Sequence, residues 1–343
     1  MKVFIVGGRG NIGQEVALGL IKQEGIEKII LGDIDIDPAG LRDRLRINKK
    51  ISLIKIDATD HGGLAGMLKD ADVAVNCAGP FYKTAAAVAR AAVTAKVDCI
   101  DVCDDYEAVE TLYASEIDKA AREAGITVLT GMGSDPGTNN IIAKWYAQRL
   151  DKVDEISLFW AVSITGLAGA ALEHSLHMTA GKIPQFLDST PAYVEGGTGE
   201  ETVQFPDPLG ACMVRYVGHP QPLTMPRYIK GLKNVIVKGG ILPASQEDRG
   251  SSVSGLKVIV KGERKGKQVT CTAEMVGGMG PGTGISASIA VRMLSAGDIK
   301  VKGLVAPEGC IDPERFLAAL LKSGARIYQT ETVTSVLEEK DER

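Results

Sequence analysis

The sequence predicts an α/β fold, a Rossmann-type doubly wound parallel sheet joined to a second α+β domain of mixed sheet. Three observations carry this expectation. Short β-branched runs alternate with longer helical patterns over the first 130 residues, and a G-x-G-x-x-G loop directly follows the first run. Beyond Asp135 the alternation gives way to strand-like runs separated by turn residues.

Taken in order, Lys2–Val6, Lys28–Asp33, Ser52–Asp57, Val73–Cys77, Val97–Val102 and Ile126–Thr130 read as strands. Asn11–Gln23, Pro38–Arg46, Gly62–Lys69, Thr84–Ala95 and Glu107–Ala124 carry apolar residues at helical spacing between them. Such units imply parallel pairing, because each right-handed crossover lays its helix on a sheet face. Pro136-Gly137 opens a further helix to about Leu150, and Glu155–Ser163, Asn234–Lys238, Leu256–Gly262 and Gln268–Val276 read as the second sheet. Most prolines lie between Pro184 and Pro243, which marks loops and short strands lining a cleft. Gly284–Ala296 and Pro313–Ser323 are helical, and the Glu338–Arg343 tail frays.

Composition narrows the function. With 343 residues the chain has room for about two domains. Lys and Arg total 39 against 43 Asp and Glu, so there is no basic surplus to meet a nucleic acid. Apolar runs stop well short of the ~20 residues of a membrane span. Met1-Lys2 leads straight into a β-like run without the pattern of a signal peptide, and a cytoplasmic location is expected. The six cysteines lie mostly in apolar runs and read as reduced buried thiols; Cys99 and Cys103 lack the paired spacing of a zinc site, and no metal is expected.

The loop Gly8-Arg9-Gly10-Asn11-Ile12-Gly13 is placed to hold a dinucleotide. Gly8 would permit the tight turn, Gly10 the approach of a pyrophosphate, and Gly13 the packing of helix on strand. Asp33, 20 residues after Gly13, ends the second strand where a carboxylate would accept the adenosine ribose hydroxyls. It would repel a 2′-phosphate, so NAD is expected over NADP; Arg9 is the competing signal. Asp57-Ala58 either cap a strand end or touch the adenine edge. Ala78-Gly79-Pro80 would form a rigid turn beside the nicotinamide ribose, followed by Tyr82 and Lys83. Asp101, Asp104 and Asp105 crowd the same sheet edge; one caps a helix comfortably, three less well.

In the second domain, His174 and His177 stand three apart, as metal ligands, substrate contacts or ordinary histidines. Arg215, Arg227 and Arg249 are candidates for a carboxylate clamp, Arg227 favoured by the stiffening Pro226. Asp135 and Asn139 begin a helix whose free N–H groups suit an anionic substrate group, or Asp135 simply caps it.

GGRGNIG (7–13), GD-I-D (32–35), NCAGPFYK (76–83), VDCIDVCDD (97–105), GSDPGTNNIIA (133–143), VGHPQPLTMPR (217–227) and PEG-x-x-DPERFL (307–317) together resemble the saccharopine dehydrogenase-like oxidoreductases. The resemblance implies a dinucleotide-binding domain of residues 1–132 rejoined by 283–343, enclosing a substrate-binding and dimerisation domain of 133–282. It implies nicotinamide-dependent chemistry at a carbon–nitrogen bond of an amino acid or polyamine, by hydride transfer through an imine. Asp33 and the chain length fit a lysine 6-dehydrogenase-like enzyme better than glutamate-forming saccharopine chemistry. Asp104, Asp105, Tyr82 and Lys83 are the expected catalytic residues. A reductive amine–aldehyde condensing enzyme and a nucleotide sensor without catalysis are the alternatives.

Overall fold

The computed structural model describes residues 1–164, 176–243 and 253–335. Strands β1 (Lys2–Val6), β2 (Lys28–Asp33), β3 (Ile51–Lys55), β4 (Val73–Asn76), β5 (Asp98–Asp101) and β6 (Thr127–Leu129) pair in parallel in the order β3-β2-β1-β4-β5-β6. Central β1 is apolar throughout Val3–Val6 and fully buried, as a strand covered on both faces by helices must be. The helix Phe81–Ala95 buries Ala85, Val88, Ala89, Ala91 and Ala92, whose small side chains let it lie close to the sheet. The connection reversal between β1 and β4 opens a crevice at the carboxyl edge, where ligands bind in such sheets.

The second sheet is built from β7 (Lys152–Ile164), β8 (Lys182–Leu187), β9 (Thr190–Glu195), β10 (Glu201–Gln204), β11 (Ala211–Tyr216), β12 (Asn234–Pro243), β13 (Val253–Arg264) and β14 (Lys267–Gly277). It is mixed: β12 runs parallel to β7, while β13 and β14 continue antiparallel. β12 places Gly239 directly opposite Trp160 of β7. A Cβ there would lie 2.2 Å from the indole, so glycine makes the room in which the ring lies flat.

The chain then returns. The helix Met279–Ser295 packs on the first helix, Asn11–Leu20, with Gly284 against Glu15, and β15 (Gly303–Val305) adds a seventh parallel strand beside β6. The last strand, β16 (Tyr328–Thr334), pairs with β14. The sequence leads us to expect residues 283–343 to rejoin the first domain as a whole; β15 does pair with the first sheet, whereas β16 extends the second. The expectation for the Glu338–Arg343 tail lies outside the described residues. Among those residues no helix is long and apolar enough to cross a membrane.

Candidate active site

The glycine loop has the form a pyrophosphate needs. A Cβ on Gly13 would sit 2.3 Å from the Gly7 carbonyl oxygen, whereas one on Gly10 would meet only that same oxygen, at 3.2 Å, leaving its outer side open. The helix Asn11–Leu20 has neither an acidic residue in its first turn nor a side-chain cap, so its N–H groups remain for an anion. The tight turn falls one residue earlier than expected. Gly7 holds the positive φ of 74°, while Gly8 is required because a Cβ there would reach within 2.7 Å of the Leu31 backbone. Gln14 staples the loop, donating to the carbonyls of Arg9 and Gly40 and accepting from the Arg42 amide. The Asn11 side chain accepts from Arg42 and is thereby turned to the protein.

Asp33 ends β2 and accepts from the Arg9 amide at 3.0 Å. The Arg9 guanidinium is engaged elsewhere, 2.7 Å from Asp35 and donating to the Asp37 carbonyl at 2.9 Å. Asp57 closes its own turn, accepting from the amide and hydroxyl of Thr59, which together hold its carboxyl below the usual range. Ala58 packs against the core below it. Ala78 donates its amide to Asn76 at 3.1 Å, and the Asn76 side chain in turn donates to Asp101. Gly79-Pro80 leads directly into the N-terminus of the helix Phe81–Ala95.

Burial pushes the Asp101 carboxyl up to about 7, opposed by hydrogen bonds from Asn76 and Cys103 and reinforced by the charges of Asp104 and Asp105. Its folded value is raised, so the stability it contributes is fully present below the ordinary carboxylate range, about pH 4, and is lost as pH rises through about 7. We expect denaturant melts to show stability declining across that window by on the order of 4 kcal/mol at most from this group. Asp101→Asn should flatten the decline; an unchanged slope would assign it elsewhere.

The three expected carboxylates have separate positions. Asp101 is buried beneath the turn, Asp105 is 2 % exposed and accepts from the Tyr82 amide at 3.2 Å, and Asp104 lines a cavity of about 210 Å³. Tyr82 and Lys83 do not line that cavity. Their side chains are exposed, Lys83 Nζ standing 5.3 Å from the Tyr82 ring. The Tyr82 ring lies 5.5 Å from that of His177 at a tilt of 37°, and His177 Nε2 is 2.9 Å from Glu107, so this cluster joins the helices Phe81–Ala95 and Tyr106–Ala114 to the segment bearing His177 at the surface. His174 and Arg249 lie outside the described residues. Arg227 covers the Tyr113 ring at 4.1 Å, exposed, and Arg215 pairs with Glu200 at 2.6 Å.

The cavity lies between the carboxyl edge of the first sheet, with Ile12, Phe81 and Val102, and the face of the second, with Trp160 and Leu256. Its polar residues include Asp104, Asp135 and His219. Asp135 Oδ1 accepts from both Asn139 and Gln221. That hydrogen bonding places Asp135 and Asn139 together as expected, but as a carboxylate rather than a cradle for an anion. The helix behind them, Thr138–Ala147, is anchored by Asn140, which caps it through the Gly137 amide and donates to the buried Glu308 at 2.8 Å. Burial holds the Glu308 carboxyl above its ordinary range. The returning PEG segment thus fixes the loop that bears Asp135.

His219 and Trp160 were not singled out from the sequence. The histidine is 3 % exposed, its ring 5.9 Å from the indole and tilted by 28°, its Nδ1 3.8 Å from Asp135 Oδ1. His219 lies in the GHPQP run, one of the stretches that carry the resemblance. A second hollow of about 400 Å³ shares Ser134, Ser254 and Leu256 with the first and reaches Arg326.

Residues 3–129 match the family model described as the saccharopine dehydrogenase NADP binding domain. The match covers the first six strands of the first sheet. A saccharopine dehydrogenase-like oxidoreductase of Mus musculus is 28 % identical over 92 residues, 27 % of this chain and 21 % of that protein; the match thus spans about a fifth of the relative's length. The fold extends further. Saccharopine dehydrogenase (L-Glu forming) from Saccharomyces cerevisiae superposes with a TM-score of 0.73 at 15 % identity, covering 97 % of this chain and 100 % of that one. The homospermidine synthase of Legionella pneumophila, solved with NAD, gives 0.69 at 11 % identity over 96 % and 91 %. The residues present fit a nicotinamide dinucleotide: Gly7, Gly8, Gly10 and Gly13 would hold its pyrophosphate and Asp33 its adenosine ribose.

Proposed function

We propose that this chain oxidises the amine-bearing carbon of an amino acid or polyamine, with a nicotinamide dinucleotide as hydride acceptor. One observation carries the reading. The apolar cavity beside the dinucleotide loop holds two acidic residues, Asp104 and Asp135, on its walls. Carboxylates facing a small apolar space favour a cation, whose charge offsets the cost of keeping theirs out of water. An amine arrives protonated, its free pKa being ~10.4, and must lose that proton before hydride can leave its carbon. When bound, the nicotinamide supplies the carbon that receives the hydride. The chain's part is to hold the ammonium at the carboxylates, keep water away with Phe81, Val102 and Trp160, and take up the proton.

A panel of L-lysine, L-ornithine, 1,4-diaminobutane and n-hexylamine, followed at the reduced-nicotinamide absorbance, tests the reading. Turnover of at least one is expected. Turnover confined to alcohols, with every amine inert, would sink it.

NAD is the cofactor this reading favours. Asp33 would face a 2′-phosphate with a like charge, and the Arg9 guanidinium is already paired with Asp35. Asp33→Ser should narrow the NAD preference about tenfold, the scale of one ~1.4 kcal/mol interaction. A native protein more efficient with NADP would show that Arg9 leaves Asp35 for the phosphate.

A further inference from the structure

We infer that His219 takes the proton of the substrate amine and that Asp135 holds both the imidazole and the ammonium. This rests on the amine reading above and assigns its acid–base step to residues of the second domain, away from the Asp104-Asp105 pair. His219 lines the cavity, is almost wholly buried, and has neighbours on two sides, with no hydrogen-bond partner at Nδ1. Trp160 backs its ring, lying flat because position 239 is glycine, and Asp135 stands 3.8 Å from Nδ1. A carboxylate on that side favours the proton on Nδ1 and leaves the Nε2 lone pair to accept.

Asp135 supplies the independent sign of a ligand. Its side chain is 6 % exposed and its Oδ1 is filled by Asn139 and Gln221, yet Oδ2 is buried with no hydrogen-bond partner. A buried carboxylate oxygen without a donor costs free energy, and on a cavity wall it is an acceptor for a donor the ligand brings. An ammonium provides that donor.

The step balances. Nε2 of the neutral imidazole takes a proton from R2CH–NH3⁺, leaving the amine. The C–H bond then breaks with its electron pair, hydride passing to the oxidised nicotinamide as the nitrogen lone pair forms C=N. The products are an iminium cation and the reduced dinucleotide. Water adds to the iminium and ammonium leaves, giving the carbonyl, while the separate proton on His219 passes to solvent.

The test reads binding as well as rate. Each of the four panel amines is titrated into the protein–NADH complex from pH 6 to pH 9, so that no turnover intervenes. In the native protein affinity should fall toward low pH, because an imidazolium repels the ammonium. Among the described residues, Asp135 stands 3.8 Å from His219, Asp104 lines the same cavity, and Tyr106 packs on the adjacent Gly218. His219→Asn leaves them in place and should remove most of the pH dependence, while kcat/KM falls by about 10²–10⁴-fold. Asp135→Asn should weaken amine binding on the order of tenfold or more, with NADH binding unchanged. His219→Ala should regain rate with added imidazole. An unaltered pH dependence of affinity in His219→Asn, a native rate in that variant, or failure of all four amines to bind a complex that holds NADH would overturn the inference. Amine turnover with a native pH profile in the His219 variants would overturn it while leaving the proposed function standing.

Discussion

Replacing Gly13 with valine should severely weaken dinucleotide binding. Even the Cβ would lie 2.3 Å from the Gly7 carbonyl oxygen and 2.7 Å from the Gly8 Cα. The clash is with backbone, so no side chain can turn aside; either the helix lifts from β1 or the glycine loop opens. Both outcomes move the N–H groups that would meet the pyrophosphate. Overpacking of this kind costs ~1–3 kcal/mol in stability. With the anion site displaced as well, NADH affinity measured by fluorescence quenching should drop by more than about 100-fold. Gly66→Ala provides the control, since no heavy atom lies within 4 Å of its Cβ position. An intact affinity in Gly13→Val would mean that the loop tolerates a different path for the phosphates.

The adjacent acids Asp104 and Asp105 should separate into one functional and one structural effect. Asp104→Asn removes a negative charge from the cavity wall and should lower kcat/KM for the best amine by about 10²-fold, mainly through KM, with the melting temperature little changed. Asp105→Asn should do the reverse. Its carboxylate accepts from the Tyr82 amide where the helix Phe81–Ala95 begins, and weakening that buried bond should cost ~1–3 kcal/mol while kcat/KM stays within a few-fold. Thermal denaturation and steady-state kinetics on the two variants decide the matter. Equal kinetic effects would return both residues to the catalytic pair that their adjacency in sequence suggests.

The first sheet was legible because its strands are apolar runs bounded by helical periodicity. β1 and β2 occupy the spans read from the sequence, β3 to β6 differ at their ends by one or two residues, and the short β15 has no counterpart among those spans. Glu107–Ala124 proved to be two helices, Tyr106–Ala114 and Ile117–Ala124, broken where the Ser115 hydroxyl turns back to the Leu112 carbonyl. The helix after β4 starts at Phe81 rather than Thr84, because its first turn is capped by Asp105 from a distant part of the chain. β16 left no signal at all. Tyr328–Thr334 is exposed along its whole length, so no alternation records its pairing with β14.

The site was less legible than the fold. The dinucleotide loop is a local motif, and its residues stayed together. The cavity is assembled from β7, the 133–135 loop, the segment before Gln221–Tyr228 and the returning helix, and only tertiary structure brings these to one place. Tyr82 and Lys83 were expected there because they follow the fourth strand, yet a helical turn swings their side chains to the outside.

The route of the chain between its two sheets has a mechanical consequence. It crosses from first to second near residues 131–137, returns near 277–282, and crosses again near 324 on the way to β16. Each crossing contains glycine, with Gly131, Gly137 and Gly324 at φ of 77°, 126° and 97°. Three tethers across one cleft confine relative motion of the sheets to a rotation that all three joints can share, as on a door hung from three pins. Stiffening any one of them would restrain any rotation that the three share.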